Sequence, residues 1–301
     1  MTAPEAVPAD VVAARPWLWG LCYRLLGDAA DADEVVQDTL WRAVSRPPVD
    51  QTRPWRPWLC TVATRLARDR LRARRRKGWA GPWLPTPVPD ELLADGAPGP
   101  DQQAAWRDAA SFAWLLAAER LTPNQRAVLL LRDVAGLSAA ETAEALGMAD
   151  GTVRVTLLRA RRAAAGGAEG RTLSAAERAA AEAALVGFLG AIAADDVAEA
   201  RRWLADDVEV RSDGGGRYRA ARVPFSGADK AVAVWRWLRD HAGPPDRWAF
   251  AWRNGCVSVR FEADQPPPGY PTHTVLLLEV RGGVVTQLWS VLGEKAAWGA
   301  S

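Results

Sequence analysis

The alternation of apolar and polar positions in residues 138–162 predicts two short helices joined by a tight turn. Ser138 is suited to cap the first helix, because Glu141 stands three residues later and can bond back to the cap amide. Gly147 is expected to end that helix, and Asp150 to cap the next one. The second helix has an apolar stripe at spacings of four and three, formed by Val153, Leu157 and Ala160. This pattern is typical of a helix-turn-helix.

The outward face of the second helix is basic. It carries Arg154, Arg159, Arg161 and Arg162. A cationic helix of this size fits the major groove of duplex DNA, so DNA is the expected partner. The same spacing is compatible with an ordinary helical hairpin whose basic face is solvated, and the motif alone leaves both interpretations open.

Two helices are predicted near the start of the chain, over residues 11–26 and 31–44. The second has a core stripe of Val36, Leu40 and Ala43. Its other face combines acids with an indole: Glu34, Gln37, Asp38 and Trp41. This composition favours a protein-docking surface. The alternative is a solvated acidic face with Trp41 packed inside the domain.

A proline-rich loop containing Trp55 leads into a third helix, predicted over residues 58–77 and beginning at Trp58. The apolar side is formed by Leu59, Val62 and Leu66, and the opposite side by Arg65, Arg68 and Arg72. Aromatic rings accept unstacked bases and arginines neutralise the phosphate backbone, so this pattern is suited to a single nucleic-acid strand. A lone basic helix is more commonly a solvated face, and the nearby helix-turn-helix favours the DNA interpretation.

Residues 78–107 are rich in proline and glycine and are interpreted as a linker, in which Trp83 and Leu84 are expected to dock on a neighbour. A helix is predicted over residues 108–121. A second capping box at Thr122 opens another helix, which runs to Gly136 and into the helix-turn-helix.

The C-terminal half mixes helices and strands. Helices are predicted over residues 174–194, 196–205 and 227–242, and strands over residues 208–212, 218–224, 273–280 and 284–292. Before the last two strands, Trp248, Phe250 and Trp252 alternate up to Asn254-Gly255, which is the strongest short hairpin signal. The order predicts an α+β domain.

The composition of the chain limits which classes of protein are possible. The chain has 301 residues and a formal net charge of +2, so the basic signal lies in its distribution: residues 65–77 hold eight Arg or Lys against Asp69. Cys22, Cys60 and Cys256 are far apart, which argues against a disulfide framework and a zinc site. No apolar run reaches about 18 residues and the N-terminus lacks the pattern of a signal sequence, so a cytoplasmic location without a membrane partner is expected.

Three segments together strongly resemble the two conserved regions of the extracytoplasmic-function sigma factors of bacterial RNA polymerase. They are DADEVVQDTLWRAV, PWLCTVATRLARDRLRARRRK and LTPNQRAVLLLRDVAGLSAAETAEALGMADGTVRVTLLRARR. The motif GPWLPTP is similar to a tryptophan-proline signature of the subgroup with a fused SnoaL-like C-terminal domain. The resemblance implies two all-α sigma domains, residues 10–77 and 108–165, the second a helix-turn-helix. The linker 78–107 would join them, and an α+β SnoaL-like cone would follow at residues 174–298.

The resemblance also implies roles for individual residues, with core RNA polymerase and promoter DNA as partners in transcription initiation. The surface for core polymerase would be Asp33, Glu34, Gln37, Asp38 and Trp41. The minus-ten element would meet Trp55, Trp58, Arg65, Arg68 and Arg72. The minus-thirty-five element would meet Thr152, Arg154, Val155, Leu158, Arg159, Arg161 and Arg162.

The subgroup carries a DGGGK motif linked to control of sigma activity, and here a regulatory turn is expected at Asp213, Gly214, Gly215, Gly216 and Arg217. Cone cavities also host enzymes, in which a carboxylate in an apolar pocket acts as a base, and Asp213 and His273 are the candidates. The alternative is that Asp213 only opens a glycine turn.

We expect no catalysis and no cofactor or metal, and a small-molecule ligand in the cavity is a hypothesis. Two other function classes are a helix-turn-helix repressor and a cone-fold enzyme with a DNA-binding tether.

Overall fold

The chain folds into two units. The first unit contains Met1–Gly78 and Glu91–Gly170, and the second contains Trp79–Asp90 and Arg171–Ser301. The structure, a computed structural model, describes residues 9–52, 54–78, 81–94, 103–164 and 173–299. Of the linker expected over residues 78–107, residues 79–80 and 95–102 lie outside this described part.

The first unit is helical. Its helices are α1 Ala9–Ala13, α2 Arg15–Leu26, α3 Ala29–Ser45, α4 Trp55–Lys77, α6 Gln103–Asp108, α7 Phe112–Ala118, α8 Pro123–Leu129, α9 Ala139–Leu146 and α10 Asp150–Ala164, with the short α5 Asp90–Ala94 at its junction with the second unit. Helices α2, α3 and α4 pack on one another, and α8, α9 and α10 form a second cluster.

Two of the predicted helices are divided. Residues 11–26 form α1 and α2, because Pro16 lies in the first turn of α2. Proline has no N–H and its ring clashes with the preceding turn, so it is tolerated at the start of a helix and not inside one. Residues 108–121 are divided because Ser111 caps α7, its side chain accepting from the Trp114 amide at 3.2 Å.

The capping boxes predicted at Thr122 and Ser138 are confirmed, and each has both of its reciprocal bonds. After α8 the helix widens into one π-helical turn, Leu130–Val134, which ends where the Ala135 amide donates to the Leu130 carbonyl at 2.8 Å. This turn leads into the predicted helix-turn-helix of α9 and α10.

A buried arginine on α2 collects three carbonyls of the first unit. Arg24 donates to Gly20 at 2.8 Å, to Leu93 at 3.1 Å and to Trp106 at 2.7 Å. Its guanidinium also lies 3.9 Å from the centre of the Trp106 ring. Burial lowers the pKa of Arg24 to about 9, so the group stays charged at neutral pH.

A second buried arginine, Arg126 on α8, continues this network. It donates to the carbonyl of Arg24 at 3.2 Å and to the Glu119 carboxylate at 2.6 Å. Glu119 also accepts from Arg74 of α4 at 2.8 Å. The helices before and after the linker are therefore joined through the buried Arg24 and Arg126 and the partly buried Glu119 and Arg74.

The second unit is an α+β domain. Its helices are α11 Ala175–Ala193, α12 Val197–Arg202, α13 Ala228–Ala242 and α14 Glu294–Ala297, and its strands are β1 Leu204–Asp213, β2 Phe225–Ser226, β3 Arg247–Arg253, β4 Cys256–Glu262, β5 His273–Arg281 and β6 Val284–Leu292. The strands lie in the order β2-β1-β6-β5-β4-β3. The pairs are antiparallel except β1 with β6.

The sheet and two helices enclose the core of this domain. Phe188 of α11 and Trp235 of α13 meet edge to face, with their ring centroids 6.0 Å apart. The hairpin predicted at Asn254-Gly255 is confirmed, since Arg253 pairs with Cys256 across it.

Two predictions in this domain are corrected. The strand expected over residues 218–224 is absent there, and β2 is the short Phe225–Ser226, paired with β1. The left-handed Gly215 and Gly216 turn the chain away from β1, and the strand begins only after Pro224, which has no amide to pair. The helix expected over residues 196–205 ends at Arg202, because Leu204 already belongs to β1.

No helix in the described part of the chain is long and apolar enough to cross a bilayer.

Candidate functional site

The acidic face of α3 is open to solvent. Trp41 is 62% exposed, so the alternative in which it packs inside the domain is wrong. Glu34, Gln37 and Asp38 are exposed on the same face. Asp33 is set apart from them, because its carboxylate accepts from the Trp19 indole at 2.8 Å.

Two of the acids on α3 form ion pairs at the surface. Glu34 binds Arg70 of α4 at 2.6 Å, and Asp38 lies 3.7 Å from Arg42 one turn later. Trp41 is an exposed aromatic ring, and aromatic residues are enriched in protein interfaces.

The tryptophans at the start of α4 differ from expectation. Trp55 is 7% exposed and meets Trp58 edge to face at 5.9 Å. Its ring therefore presents no open face for a base. Trp58 is half-buried, so of the two it has the more accessible ring.

Two arginines of α4 bind backbone carbonyls of α9. Arg65 donates to the Ala145 carbonyl at 3.2 Å, and Arg68 to the Leu146 carbonyl at 3.2 Å. Both carbonyls belong to the last turn of α9, where helical carbonyls lack partners and carry the negative end of the helix dipole. Arg68 is buried, and desolvation lowers its pKa. Of the three arginines predicted on the outward side of α4, Arg68 is therefore buried, whereas Arg65 and Arg72 are exposed.

Two further arginines of α4 bind residues between the end of α7 and the start of α8. Arg72 donates to the Asn124 side chain at 3.4 Å, and Arg75 to the carbonyls of Glu119 and Leu121. In this arrangement the predicted minus-ten surface is held against α8 and α9.

The helix-turn-helix has the predicted geometry, with one shift at the second helix. Gly147 ends α9 in the left-handed conformation at φ 63°. The Val153 amide donates to the Ala149 carbonyl at 3.1 Å, so Ala149 stands at the cap and Asp150 is the first helical residue. The prediction that Asp150 is the cap is wrong, although its carboxylate remains favourable in the first turn.

The residues of α10 lie on a buried side and an exposed side, and the candidate base-contacting residues are on the exposed side. Val153 and Ala160 are buried, and the opposite side is exposed, with Thr152, Arg154, Val155, Leu158, Arg159 and Arg162. Arg161 is held differently, because its guanidinium donates twice to Asp133, at 2.8 and 2.6 Å.

In the second unit, Asp213 is the anchor of a docked segment. Its carboxylate is 2% exposed and accepts from the Leu84 amide at 2.9 Å and from the Lys295 ammonium at 3.0 Å. It also accepts from the Gly215 amide at 3.0 Å, which shapes the glycine turn. Lys295 in turn donates to the Leu84 carbonyl at 2.7 Å and lies 4.4 Å from the centre of the Trp83 ring.

The other end of this segment is held at the β3–β4 hairpin. The Val88 amide donates to the Asn254 side chain at 2.7 Å, and the Asn254 amide donates back to the Val88 carbonyl at 3.1 Å. The Gly255 amide donates to Asp90 at 2.9 Å. Residues 84–88 are buried between the two anchors, so the expectation that Leu84 docks on a neighbour is confirmed.

A cavity of about 1510 Å³ opens between α11, α13 and the sheet. Its wall carries Trp237, Trp248, Phe250 and Tyr270, together with Arg219. The Tyr270 hydroxyl is buried and has no hydrogen-bond partner among the described residues.

Neither candidate base lies on the cavity wall. The wall includes Ser212 and Gly214, and Thr272 and Thr274, which flank Asp213 and His273. Successive strand residues point to opposite faces, so the two candidates are directed away from the cavity. The interpretation of Asp213 as a simple turn residue was incomplete too, since its main partners are Leu84 and Lys295. Arg217, the last residue of the expected regulatory turn, binds the exposed Glu294 at 2.6 Å.

Comparison with known proteins finds two family matches, both within the helical part of the chain. Residues 11–77 match the family model for sigma-70 region 2, and residues 111–163 match the model for sigma-70 region 4. The extracytoplasmic-function RNA polymerase sigma factor SigJ of Mycobacterium tuberculosis H37Rv is 32% identical over 289 residues, covering 94% of this chain and 90% of that protein. The chain belongs to the extracytoplasmic-function sigma factors.

Two further similarities support the assignment to these sigma factors. SigL of Mycobacterium tuberculosis Erdman is 38% identical over 142 residues, covering 46% of this chain and 76% of that protein. The crystal structure of Mycobacterium tuberculosis SigJ aligns with a TM-score of 0.69 and 29% identity, covering 95% of this chain and 96% of that one. The fold is therefore that of SigJ, with two helical sigma domains followed by an α+β domain.

Several residues that position these surfaces were missed by sequence reasoning. Arg24 and Arg126 stand in otherwise apolar helical stretches, and a lone arginine there gives no sign of its carbonyl partners. Asn254 was assigned to a hairpin turn, and its second role toward Val88 depends on a segment 166 positions earlier. No sequence pattern marked Lys295 as a partner of the docked segment.

We expect the Asp213→Asn substitution to loosen the docked segment of this sigma factor. An amide cannot balance the Lys295 ammonium, whose side chain is only 14% exposed. The free energy of unfolding of the second unit should fall by about 2–3 kcal/mol, somewhat less than is usual for a broken buried pair, because Lys295 keeps the Leu84 carbonyl. Amide hydrogen exchange at Leu84 and Val88 should accelerate.

The matched control is Glu294→Gln, which removes the ion pair with Arg217, whose side chains are 85% and 70% exposed. Exposed pairs contribute little, so exchange at Leu84 should be unchanged in that variant. Equal protection of Leu84 in Asp213→Asn and in the unsubstituted protein would contradict the anchoring role of Asp213.

Proposed function

We propose that the solvent face of α3 binds core RNA polymerase, that α4 contacts the minus-ten element and that α10 contacts the minus-thirty-five element. The observation that supports this proposal is that the α3 surface is exposed while arginines of the α4 surface are bound to α9. Arg65 and Arg68 of α4 are engaged by carbonyls of α9, whereas Trp41 on α3 is open to solvent. The polymerase surface is therefore available first, and the promoter surface of α4 becomes available when α4 and α9 separate.

This order describes a population shift between two arrangements of the helical regions. Core polymerase favours the separated arrangement only if it binds that arrangement more tightly. The bonds that oppose separation run from guanidinium groups to neutral carbonyls, such as the one from Arg68 to Leu146. A DNA phosphate bears a full negative charge, so its bond with an arginine joins two charged groups and is stronger.

We expect the double substitution Asp38→Lys with Trp41→Ala to weaken binding to core polymerase by about 30-fold or more, because an aromatic anchor of an interface is worth about 2 kcal/mol. Binding of the full chain to labelled core enzyme can be followed by fluorescence anisotropy. Run-off transcription should fall in parallel.

Asp206→Lys is the control, since this carboxylate is 92% exposed and lies in the other unit. It should leave binding to core polymerase unchanged. A helix-turn-helix repressor does not use the α3 face. If the α3 variant bound core enzyme normally, the polymerase-docking proposal would be refuted.

The second part of the proposal concerns control in cis by the SnoaL-like domain. The segment 84–88, which belongs to the connection between the two sigma regions, is buried on that domain between Asp213 and Asn254. Fixing this segment shortens the length of chain that is free to span two promoter elements. The C-terminal domain thereby acts on the reach of the sigma regions.

We expect a chain that ends at Ala164 to differ from the full chain in promoter-dependent transcription by about fivefold or more, the usual range of a coupling between sites. Its affinity for core polymerase should be unchanged, because α3 is intact. The measurement is in vitro transcription with saturating core enzyme. Asp213→Asn should shift the output of the full chain in the same direction and Glu294→Gln should not, and equal output from all four proteins would exclude control in cis.

The third part of the proposal is that the cavity holds a planar apolar molecule with a hydrogen-bond acceptor. Trp248 and Phe250 are 60% and 45% exposed on its wall, and the buried Tyr270 hydroxyl provides a donor. Arg219 lies 5.7 Å from the centre of the Tyr270 ring and adds a positive charge. An aromatic compound with an anionic or carbonyl oxygen satisfies all three features.

We expect 1-anilinonaphthalene-8-sulfonate to bind the cavity, since it combines fused rings with an anionic acceptor. Tyr270→Phe removes only the hydroxyl and should weaken binding about fivefold to tenfold. Trp248→Ala should weaken it as well, whereas Trp41→Ala, at an exposed tryptophan of the other unit, should not. Fluorescence titration gives the affinities, and unchanged binding by both cavity variants would refute this site.

A further inference from the structure

The exposed side of α10 has an apolar centre. Val155 and Leu158 are each 50% exposed, and a separation of three residues places them side by side on the helix. Thr152, Arg159 and Arg162 lie on the same side, at spacings of three or four from one of the two. The buried stripe of Val153 and Ala160 is on the opposite side.

This apolar centre lies outside the buried stripe of α10. Val153 and Ala160 are the buried residues of the helix, and Leu157 and Ala164 pack beside Ala160. Exposing half of a valine and half of a leucine costs solvation free energy. A polar residue at either position would avoid that cost, so the two side chains fit a partner that offers small apolar groups.

The charges around the centre restrict what that partner is. Arg154, Arg159 and Arg162 are exposed around the apolar pair. Arg161 is fixed by two bonds to Asp133, which leaves its neighbours as the cations for an anionic partner. The major groove of duplex DNA combines both properties, because phosphates line its edges and the C5-methyl group of thymine projects from its floor.

We propose that Val155 and Leu158 read thymine methyl groups in the minus-thirty-five element. The inference rests on the proposed function of α10 and assigns it a base preference. Residues in the first turns of a recognition helix reach the base edges, and Thr152 and Val155 occupy those turns, with Leu158 one turn later. The small Gly151 at the start of α10, where an added Cβ would meet open space, permits close approach of the backbone. Specificity here comes from apolar contact, with the arginines holding the phosphates.

The test compares thymine with deoxyuridine, which keeps every hydrogen-bonding group and lacks only the methyl. A preferred duplex is first selected from a random pool with the full chain and core polymerase. Each thymine of the minus-thirty-five element is then replaced singly. We expect one or two replacements to weaken binding about fourfold each, the effect of burying one methyl-sized group.

The variants Val155→Ala and Leu158→Ala connect the preference to the two side chains, since alanine preserves the helix. Each should bring the thymine-to-deoxyuridine ratio at its own position to about one. The matched control is Val186→Ala, an exposed valine on α11 of the other unit, which should keep the full ratio.

A separate variant distinguishes failure of this inference from failure of the proposed function. Arg162→Ala should weaken binding to all sequences alike and reduce the salt dependence by about one phosphate contact. If Arg162→Ala had no effect, α10 would not be a DNA-binding helix. If it weakened binding while every deoxyuridine replacement was neutral, or if the selected element held no thymine on either strand, only the methyl-reading inference would be overturned.

Discussion

The structure of the first unit depends on two buried arginines that bind backbone carbonyls. Arg24 collects three carbonyls from separate parts of the unit, and Arg126 binds the carbonyl of Arg24 itself. A buried carbonyl without a donor costs about 1–3 kcal/mol, so these contacts specify where the segments lie. Burial lowers the pKa of Arg126 to about 10, which still keeps it protonated at neutral pH. The network holds the sigma region 2 helices against the region 4 helices, and the arrangement of α4 follows from it.

The second unit also depends on a buried charged side chain that binds backbone groups, but there the side chain is an anion and its partners are donors. Here a buried carboxylate, Asp213, collects a backbone amide and an ammonium, and Asn254 exchanges two bonds with Val88. Backbone groups of an extended segment cannot satisfy one another, so a segment buried on a domain needs side chains of this kind. Asp213 and Asn254 stand at the ends of β1 and β3, which places both anchors on rigid elements. The docked segment is thus ordered by partners from distant parts of the sequence.

The sequence predicted those features that are local. The capping boxes at Ser138 and Thr122, the hairpin at Asn254-Gly255 and the apolar stripe of α10 each lie within a few residues, where spacing decides the structure. Two of the bonds made by Asp213, Arg24 and Arg68 are local, those to Gly215 and Gly20. Their other partners lie 69 to 129 positions away, and no local pattern encodes them. Burial of Trp55 was missed for the same reason, because an aromatic residue next to prolines is compatible with a loop or with a helix start.

The contact between α4 and α9 has the energetics of a reversible latch. Its arginines bind carbonyls at the end of a helix, where the partial negative charge is about half an elementary charge, and Arg65 remains exposed while doing so. Such bonds connect α4 and α9 in this structure. They are weak enough to exchange for phosphates, whose binding also releases counterions and is favoured at low salt. A fully buried ion pair at the same place would have resisted this exchange, because separating it leaves uncompensated charges. The carbonyl partners of Arg65 and Arg68 are therefore compatible with the proposed use of this surface for nucleic acid once polymerase is bound.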